Sequence, residues 1–325
     1  MIVIFFIYLT SSKILSFEYE KKIYAFLLHF THLSVSLQRF EDSSYMKRYL
    51  ILTLLILLCL YMTAQTVSII DRPKVGLVLG GGGAKGAAEV GALKVIEELG
   101  IPIDYIAGTS IGAILGGLYA TGYRAEQLDS LFRSGLWMTD NVLELLDRLT
   151  ETDEWIDFDE LPIPFRCVAV DFDTQEEVVF RNGHLATAMR ASMAIPGIYK
   201  PVLVDGKTLV DGGMVNNLPV DVVRDMGADI VIAIDLTQNK HKTRDFSLKE
   251  WTGIGGIFDW LVSRPDWKKH NDNRADADVY INPPLKGFSA ASFSDKSIDA
   301  MIKIGEQTAR KHKAELLKVK ARCSR

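Results

Sequence analysis

The chain has 325 residues, of which 48% are hydrophobic, and its formal net charge at pH 7 is −4. This length and composition predict a globular fold with a sizeable core, and the weakly acidic balance argues against nucleic acid as a partner. The three cysteines are odd in number and widely spaced. We expect Cys167, which stands in an apolar run, to be buried and unpaired and not a redox or metal ligand.

Two N-terminal segments precede the predicted core. The basic residues Lys47 and Arg48 stand before an apolar run over 49–62, and Thr63-Ala64 follows it. This order is typical of a secretory signal peptide, and the run is shorter than the ~20 apolar residues of a membrane span. Because Met62 suits a cleavage site poorly, an uncleaved anchor is the alternative for residues 46–64. Either one predicts an exported, periplasmic or membrane-associated protein. We interpret residues 1–45 as an over-extended reading frame, with translation beginning at Met46.

From residue 73 onward, short apolar runs alternate with helix-like segments. This alternation predicts an α/β fold with a mostly parallel sheet. We expect strands at Val75–Leu79, Tyr105–Ala107, Phe165–Phe172, Glu177–Phe180, Asp229–Leu236 and Asp278–Asn282. The expected helices are Ala84–Leu99, Ile111–Ala120, Val220–Met226 and one from about Asp295, with a less regular helical stretch over 125–158. The last helix carries its apolar residues on one side, so residues 237–325 should pack on the same core as 73–236.

The first motif is the run Gly80–Gly83 followed by Ala84-Lys85-Gly86, between a strand and a helix. Glycines there allow a tight turn and point N–H groups outward at a helix N-terminus, where anions bind. A dinucleotide loop would need an acid at the end of the second strand, but Asp104 precedes that strand. A phosphate loop would need Ser or Thr after Lys85, where Gly86 stands. The sequence therefore disfavours both a dinucleotide loop and a phosphate loop. The simplest interpretation of the glycine run is a turn that serves packing.

The second motif, Gly108-Thr109-Ser110-Ile111-Gly112, also joins a strand to a helix. Glycines on both sides of the serine relieve crowding in a sharp turn, so the hydroxyl is exposed for nucleophilic attack. The third motif is Leu209-Val210-Asp211-Gly212-Gly213, an apolar strand that ends in an acid. Asp211 is either an ordinary turn residue or the base that a serine nucleophile needs.

Histidine is the usual base for a serine nucleophile, and the six histidines of this chain stand in poor places for that role. They lie in the N-terminal extension, in loops or in charged stretches, and not beside glycines at a strand end: His29, His32, His184, His241, His270 and His312. The acid Asp211 is therefore the better candidate.

The three motifs, in this order, resemble those of the patatin-like phospholipase family over roughly Lys74–Leu236. The connecting segments 191–197, 201–202 and 211–220 look like that family's as well. The resemblance implies a three-layer α/β fold with a mostly parallel central sheet flanked by helices. It also implies a two-residue dyad, with Ser110 as the nucleophile and Asp211 as its base.

The same resemblance assigns roles to the glycines and to their neighbours. It implies an oxyanion hole made by the N–H groups of Gly81, Gly82 and Gly83, and a supporting role for Lys85, Gly86, Gly108, Gly112, Gly212 and Gly213. Many relatives carry a histidine at the position of Glu89. That position lies on the helix beyond the loop, so we do not expect the difference to abolish the chemistry.

The resemblance thus implies a serine acyl-hydrolase of the phospholipase A, lysophospholipase or lipid esterase type, acting in lipid degradation without metal or cofactor. The substrate would be a lipid or phospholipid. Peripheral membrane contact would involve the apolar segment Trp251–Val262 or the basic stretch Lys303–Arg325. The alternative for the apolar segment is burial in the core or in a lid. The alternative for the basic stretch is a solvated helix face. A nucleotide-binding module and a catalytically silent, membrane-associated scaffold are the competing functions.

Overall fold

The computed structural model describes residues 72–134, 142–151, 155–238 and 266–324. Three predictions fall outside these residues: the extension 1–45, the signal peptide or anchor 46–64, and the apolar segment 251–262. None of the helices in the described part of the chain combines the length and the hydropathy that a membrane span requires.

A central sheet and a small two-stranded sheet organise the fold. The central sheet contains β1 (Val75–Leu79), β2 (Tyr105–Thr109), β4 (Phe165–Asp171), β5 (Glu177–Phe180), β7 (Val202–Val204), β8 (Lys207–Asp211), β9 (Ile230–Ile234) and β10 (Val279–Ile281). The small sheet pairs β3 (Ile156–Asp157) with β6 (Asn182–Gly183). The central order is β10-β9-β1-β2-β4-β8-β7, with β5 also on β4. Strands β10, β9, β1, β2 and β4 are parallel, and β5, β7 and β8 add antiparallel pairs.

Helices cover both faces of this sheet. They are α1 (Ala87–Leu99), α2 (Ile111–Ala120), α3 (Ala125–Arg133), α4 (Val142–Thr150), α5 (Leu185–Ser192), α6 (Val220–Asp225), α7 (Trp267–Asp276), α8 (Asp295–Lys311) and α9 (Lys313–Cys323), with 3₁₀ helices at Gly83–Gly86 and Gly212–Met214. Successive side chains of β1 point to opposite layers: Leu77 packs with α1, α2 and α8, whereas Val78 packs with α6. The fold is therefore a three-layer α/β fold with a mostly parallel sheet, as predicted.

The strand register brings the three motifs to one edge of the sheet. Leu79 pairs with Gly108, so the carboxyl ends of β1 and β2 lie side by side. Thr109 pairs with Val168 on β4, and the next residue along β4, Ala169, pairs with Asp211 at the end of β8. The glycine run, Ser110 and Asp211 consequently leave their strands at the same level. Ligands of open α/β sheets bind at this carboxyl edge.

Helix α8 lies directly on α1. A Cβ atom at Gly305 would overlap the backbone carbonyl of Ala88, and one at Gly91 would overlap that of Ile302. Only glycine permits such a close backbone approach. The predicted packing of the last helix on the core is confirmed, because Ile298 and Met301 are buried.

Other predicted elements differ in detail from the structure. The single terminal helix is in fact two, because His312 departs from helical geometry with φ −89° and ψ 9°. The helix expected at Ala84–Leu99 begins as the 3₁₀ turn Gly83–Gly86. The sequence does not predict helix α7, because its residues are mostly polar and show no apolar stripe. The Asp266 carboxylate caps this helix and accepts hydrogen bonds from two backbone N–H groups. Cys167 is buried and free, as expected.

Candidate active site

Ser110 occupies a strained turn between β2 and α2. Its backbone has φ 56° and ψ −123°, a combination that L-residues with a side chain rarely adopt. Such conformations persist only where the surrounding structure fixes them, and they cluster at functional sites. The turn places Ser110 directly before the N-terminus of α2, whose dipole favours negative charge at the serine oxygen.

The flanking glycines make this turn sterically accessible. A Cβ atom at Gly108 would overlap the carbonyl oxygen of Gly112, and one at Gly112 would overlap that of Leu79. The strand and the helix therefore approach too closely for any side chain at these two positions. Gly86 contributes in the same way, because a Cβ there would lie 2.7 Å from Cγ1 of Ile111.

The carboxylate of Asp211 is the hydrogen-bond acceptor for the hydroxyl of Ser110. The Oγ atom of Ser110 donates a hydrogen bond to Oδ2 of Asp211 at 2.6 Å, and the N–H of Gly213 donates to Oδ1 at 2.8 Å. Both side chains are buried. Burial raises the pKa of Asp211 to about 6, against the opposing effect of the two hydrogen bonds. At neutral pH this carboxylate is ionised but holds a proton more readily than an exposed aspartate.

Gly212 and Gly213 hold this carboxylate in place. A Cβ atom at Gly212 would overlap the carbonyl oxygen of Val168, so the chain turns hard against β4 after Asp211. A Cβ at Gly213 would lie 2.7 Å from Oδ1 of Asn217 and 3.0 Å from Oδ1 of Asp211. Both glycines therefore allow a turn in which the backbone itself packs around the acid.

The N–H groups of the glycine run are not equivalent. The N–H of Gly80 donates to Ile234, and that of Gly81 donates to the carbonyl of Asn217 at 3.2 Å. The N–H groups of Gly82 and Gly83 find no acceptor among the described residues. The prediction that Gly81 provides an oxyanion donor therefore needs correction, because its N–H is already bonded. Gly82 and Gly83 retain donors for a ligand.

Asn217 holds the glycine run against Ser110. Its Nδ2 group donates to the carbonyl of Gly81 at 3.2 Å, which adds to the bond that its own carbonyl accepts from the same residue. A Cβ atom at Gly81 would lie 3.2 Å from Cβ of Ser110. Asn217 thus holds Gly81 by two hydrogen bonds at the point where the glycine run lies close to Ser110.

Two ionisable residues lie beside the glycine run. Lys85 is buried in the 3₁₀ helix Gly83–Gly86. Glu89, one turn further on α1, is completely buried, and neither of its carboxyl oxygens has a hydrogen-bond partner among the described residues. Burial raises the pKa of Glu89 well above its ordinary value, and the negative charge of Asp235 adds to this effect. Burial therefore favours the neutral form of Glu89 more than in an exposed glutamate.

We expect Glu89→Gln to change the pH dependence of folding. Because the pKa of Glu89 is raised in the folded state, its contribution to stability is complete below the unfolded value of ~4.3 and is lost as pH rises to the folded value. Glutamine cannot ionise. The unfolding free energy of Glu89→Gln relative to wild type, measured with urea, should therefore increase from pH 4.5 to pH 8. The exposed control Glu160→Gln should show no such trend, and a constant difference for Glu89→Gln would refute the interpretation.

The described histidines are bonded elsewhere. His184 contacts Thr187 and Asp147, and His312 contacts Glu315. His270 is buried and bonded to Oδ2 of Asp235 at 3.1 Å. His241 lies outside the described residues. Within the described residues, no group of three or more His, Cys, Asp or Glu side chains is placed to hold a metal ion.

Sequence reasoning missed three residues that shape the site. Asn217 brackets the glycine run, Ser192 bonds to the backbone of Ser110, and Asn216 accepts the Thr109 hydroxyl through its carbonyl. In the sequence, Ser192 and the pair Asn216-Asn217 stand in the connecting segments and belong to none of the three motifs. The available signal was a set of buried polar residues inside otherwise apolar stretches, since such groups need partners.

Comparisons with known proteins agree with this arrangement. The family model described as "Patatin-like phospholipase" matches residues 77–160 and 129–224. A patatin-like phospholipase domain-containing protein of Caenorhabditis elegans is 39% identical over 199 residues, which are 53% of this chain and 14% of that protein. A protein of Aspergillus fumigatus named lysophospholipase nte1 is 29% identical over 280 residues, which are 74% of this chain and 18% of that protein.

A structural likeness was found as well. The crystal structure of VipD from Legionella pneumophila resembles this chain with a TM-score of 0.47 and 14% identity, over 76% of this chain and 67% of that one. The chain matches less than a fifth of the length of the two relatives named above. The glycine run, the motif around Ser110 and the motif around Asp211 all lie inside the matched residues 77–224. Through that region, the chain belongs to the patatin-like phospholipase family.

Proposed function

We propose that this chain is a serine acyl-hydrolase that cleaves carboxylic ester bonds of lipids, with Ser110 as the nucleophile and Asp211 as its base. The observation that carries the proposal is the buried hydrogen bond of 2.6 Å from Ser110 to Asp211. It lies within the region that matches the patatin-like phospholipase model, and one relative is named a lysophospholipase. Phospholipids and lysophospholipids are therefore the substrate class that we propose.

Acyl transfer begins with attack by the serine oxygen. Oγ of Ser110 forms a bond to the ester carbonyl carbon while its proton passes to Oδ2 of Asp211. The tetrahedral intermediate collapses, the proton goes to the departing alcohol oxygen, and an acyl-serine is left. Water, deprotonated by the same carboxylate, then releases the fatty acid and restores Ser110. The raised pKa of Asp211, about 6, brings this acid closer to the proton affinity that a general base needs at neutral pH.

The negative charge on the carbonyl oxygen needs donors that point at it. Gly82 and Gly83 supply two N–H groups without an acceptor among the described residues, next to the loop segment that touches Ser110. A donor of this kind contributes about 3–4 kcal/mol to the stabilisation of the transition state. We assign the oxyanion hole to Gly82 and Gly83, with Gly81 and Lys85 as parts of the loop that holds them.

A dyad without histidine makes a clear prediction for His184. It lies in a half-buried contact with Asp147, and its ring shares no bond with Ser110 or Asp211. His184→Ala should therefore keep kcat/KM for a soluble ester within about threefold of wild type, in the range expected for loss of a surface contact. His241→Ala, in the segment outside the described residues, is the companion variant. A dead enzyme in either case would point to a conventional triad.

Localisation and membrane contact complete the proposal. An export signal or anchor at 46–64 would place the enzyme in the periplasm or at a membrane, where phospholipids are available. The segment Trp251–Val262 and the basic stretch Lys303–Arg325 are the proposed contacts with the lipid surface. The mass of the native protein, measured intact, tests both the leader and the start at Met46.

The decisive experiment is product analysis by mass spectrometry. Purified wild type and Ser110→Ala are each incubated with vesicles of phosphatidylcholine, lysophosphatidylcholine and phosphatidylglycerol. We expect fatty acid release by wild type alone, with the accompanying lysolipid or glycerol derivative identifying the ester that is cleaved. No release, together with no labelling by a fluorophosphonate, would favour the silent scaffold. Saturable binding of NAD or ATP would favour the nucleotide-binding alternative.

A further inference from the structure

Ser192 lies behind Ser110 and touches its backbone. It is the last residue of α5 and is completely buried. Its Oγ atom accepts a hydrogen bond from the backbone N–H of Ser110 at 2.9 Å. The same hydroxyl donates to the carbonyl of Val168 at 2.6 Å. Val168 in turn pairs with Thr109, the residue before Ser110, so the three contacts close a small ring around the serine turn.

This ring acts on the part of the chain that carries strain. Ser110 has a positive φ of 56°, and relaxation to a common backbone conformation would rotate its N–H and its Cβ together. Such a rotation would break the bond to Ser192 and would move Oγ away from Asp211. Among the described residues, Ser192 is the acceptor of this N–H. A buried donor without a partner would be costly, so the bond holds the turn in its strained form.

We propose that Ser192 is a positioning residue that fixes the backbone of Ser110 so that its hydroxyl meets Asp211. The inference rests on the proposed function, because positioning matters only if Ser110 is the nucleophile. It also excludes the N–H of Ser110 from the oxyanion hole, since that group is already bonded. The glycine run must then provide the donors.

The position requires a hydroxyl in particular. The side chain has to accept from Ser110 and donate to Val168 at the same time, in a space that is closed to solvent. Alanine can do neither, and it leaves the buried N–H of Ser110 without its acceptor. A thiol can do both, but weakly. The order Ser, Cys, Ala at position 192 is therefore an order of decreasing support for the turn.

The test compares Ser192→Ala and Ser192→Cys with a matched control. Thr308→Val removes another buried hydroxyl, which donates to the carbonyl of Ile304 on α8. For each variant we would measure thermal unfolding, kcat and KM for a soluble ester, and the rate of labelling by a fluorophosphonate. Ser192→Ala should lower kcat and the labelling rate about 10- to 100-fold, with KM within about twofold of wild type. The kcat and the labelling rate of Ser192→Cys should lie between those of wild type and Ser192→Ala. Thr308→Val should lose thermal stability and keep both rates.

A crystal structure of Ser192→Ala provides a readout that does not depend on activity. We expect Ser110 to leave its positive φ and its bond to Asp211 to lengthen or break. The positioning role is wrong if Ser110 of the variant keeps its positive φ and its bond to Asp211. It is also wrong if the folded fraction of the variant hydrolyses the ester with the kcat of wild type. If wild type itself hydrolyses no ester, the proposed function fails instead, and the crystal structures alone decide whether Ser192 holds the turn.

Discussion

Ser110→Ala should lower kcat for ester hydrolysis by about four orders of magnitude or more and leave the fold intact. In the proposed mechanism the variant removes the atom that forms the acyl bond, and the Asp211 carboxylate then has no hydroxyl to activate. Labelling by a fluorophosphonate should disappear as well, because that reagent reacts with the activated serine oxygen. The measurements are initial rates with a soluble ester and thermal unfolding by circular dichroism.

Ser130→Ala is a matched control for this prediction. Ser130 lies on α3, is exposed, and donates its hydroxyl to a carbonyl one turn earlier. It should retain full activity and full labelling. Hydrolysis by Ser110→Ala at a tenth of the wild-type rate would show that another residue is the nucleophile.

Asp211→Asn should abolish hydrolysis to a similar extent and, at the same time, stabilise the protein above pH 6. The asparagine side chain cannot take the proton of Ser110, so attack is not assisted. Its stability effect follows from the pKa of Asp211, which burial raises from 3.8 to about 6 in the folded state. The contribution of the neutral acid to stability is complete below pH 3.8 and is lost as pH rises to about 6. The ionised carboxylate therefore costs roughly 3 kcal/mol at neutral pH.

Activity and stability should consequently depend on pH in opposite directions. The kcat/KM of wild type should rise through a pKa of about 6, while the stabilising effect of Asp211→Asn grows over the same range. Urea unfolding at pH 4, 6 and 8 measures the second effect, with exposed Asp173→Asn as the control. If Asp211→Asn is destabilised at pH 8 by as much as at pH 4, the carboxylate is not under the strain that burial implies.

The sequence sufficed for those parts of the site that depend on local backbone geometry. Ser110 and Asp211 each follow an apolar strand and precede glycines, and this pattern carries its own structural meaning. The parallel alternation of strands and helices then places Ser110 at the carboxyl edge. Asp211 reaches the same level because β8 runs antiparallel to β4 with Asp211 opposite Ala169, a register that the sequence does not show. The residues that hold them could not be derived in this way. Ser192 and Asn217 act through single contacts with residues far along the chain, and no periodicity marks such contacts.

The loop donors show the same limit. From sequence, Gly81, Gly82 and Gly83 are equivalent members of a glycine run. Only the return of Asn217 to this loop distinguishes them, because its carbonyl takes the N–H of Gly81. Helix α7 was missed for a different reason. Its residues are mostly polar, and its position is fixed by a buried network in which Asn273 donates to Asn216 and to the carbonyl of Leu218.

The crossing of α1 and α8 through Gly91 and Gly305 bears on where the chain can be truncated. The family match stops at residue 224, yet β9, the neighbour of β1, and α8, the cover of α1, are both encoded after it. An expression fragment trimmed to the matched region would expose the edge of β1 that pairs with β9. It would also expose the backbone of α1 at Ala88, which α8 covers. Grafting this domain into a fusion protein therefore means transplanting the chain through α9, a unit defined by its packing and not by its motifs.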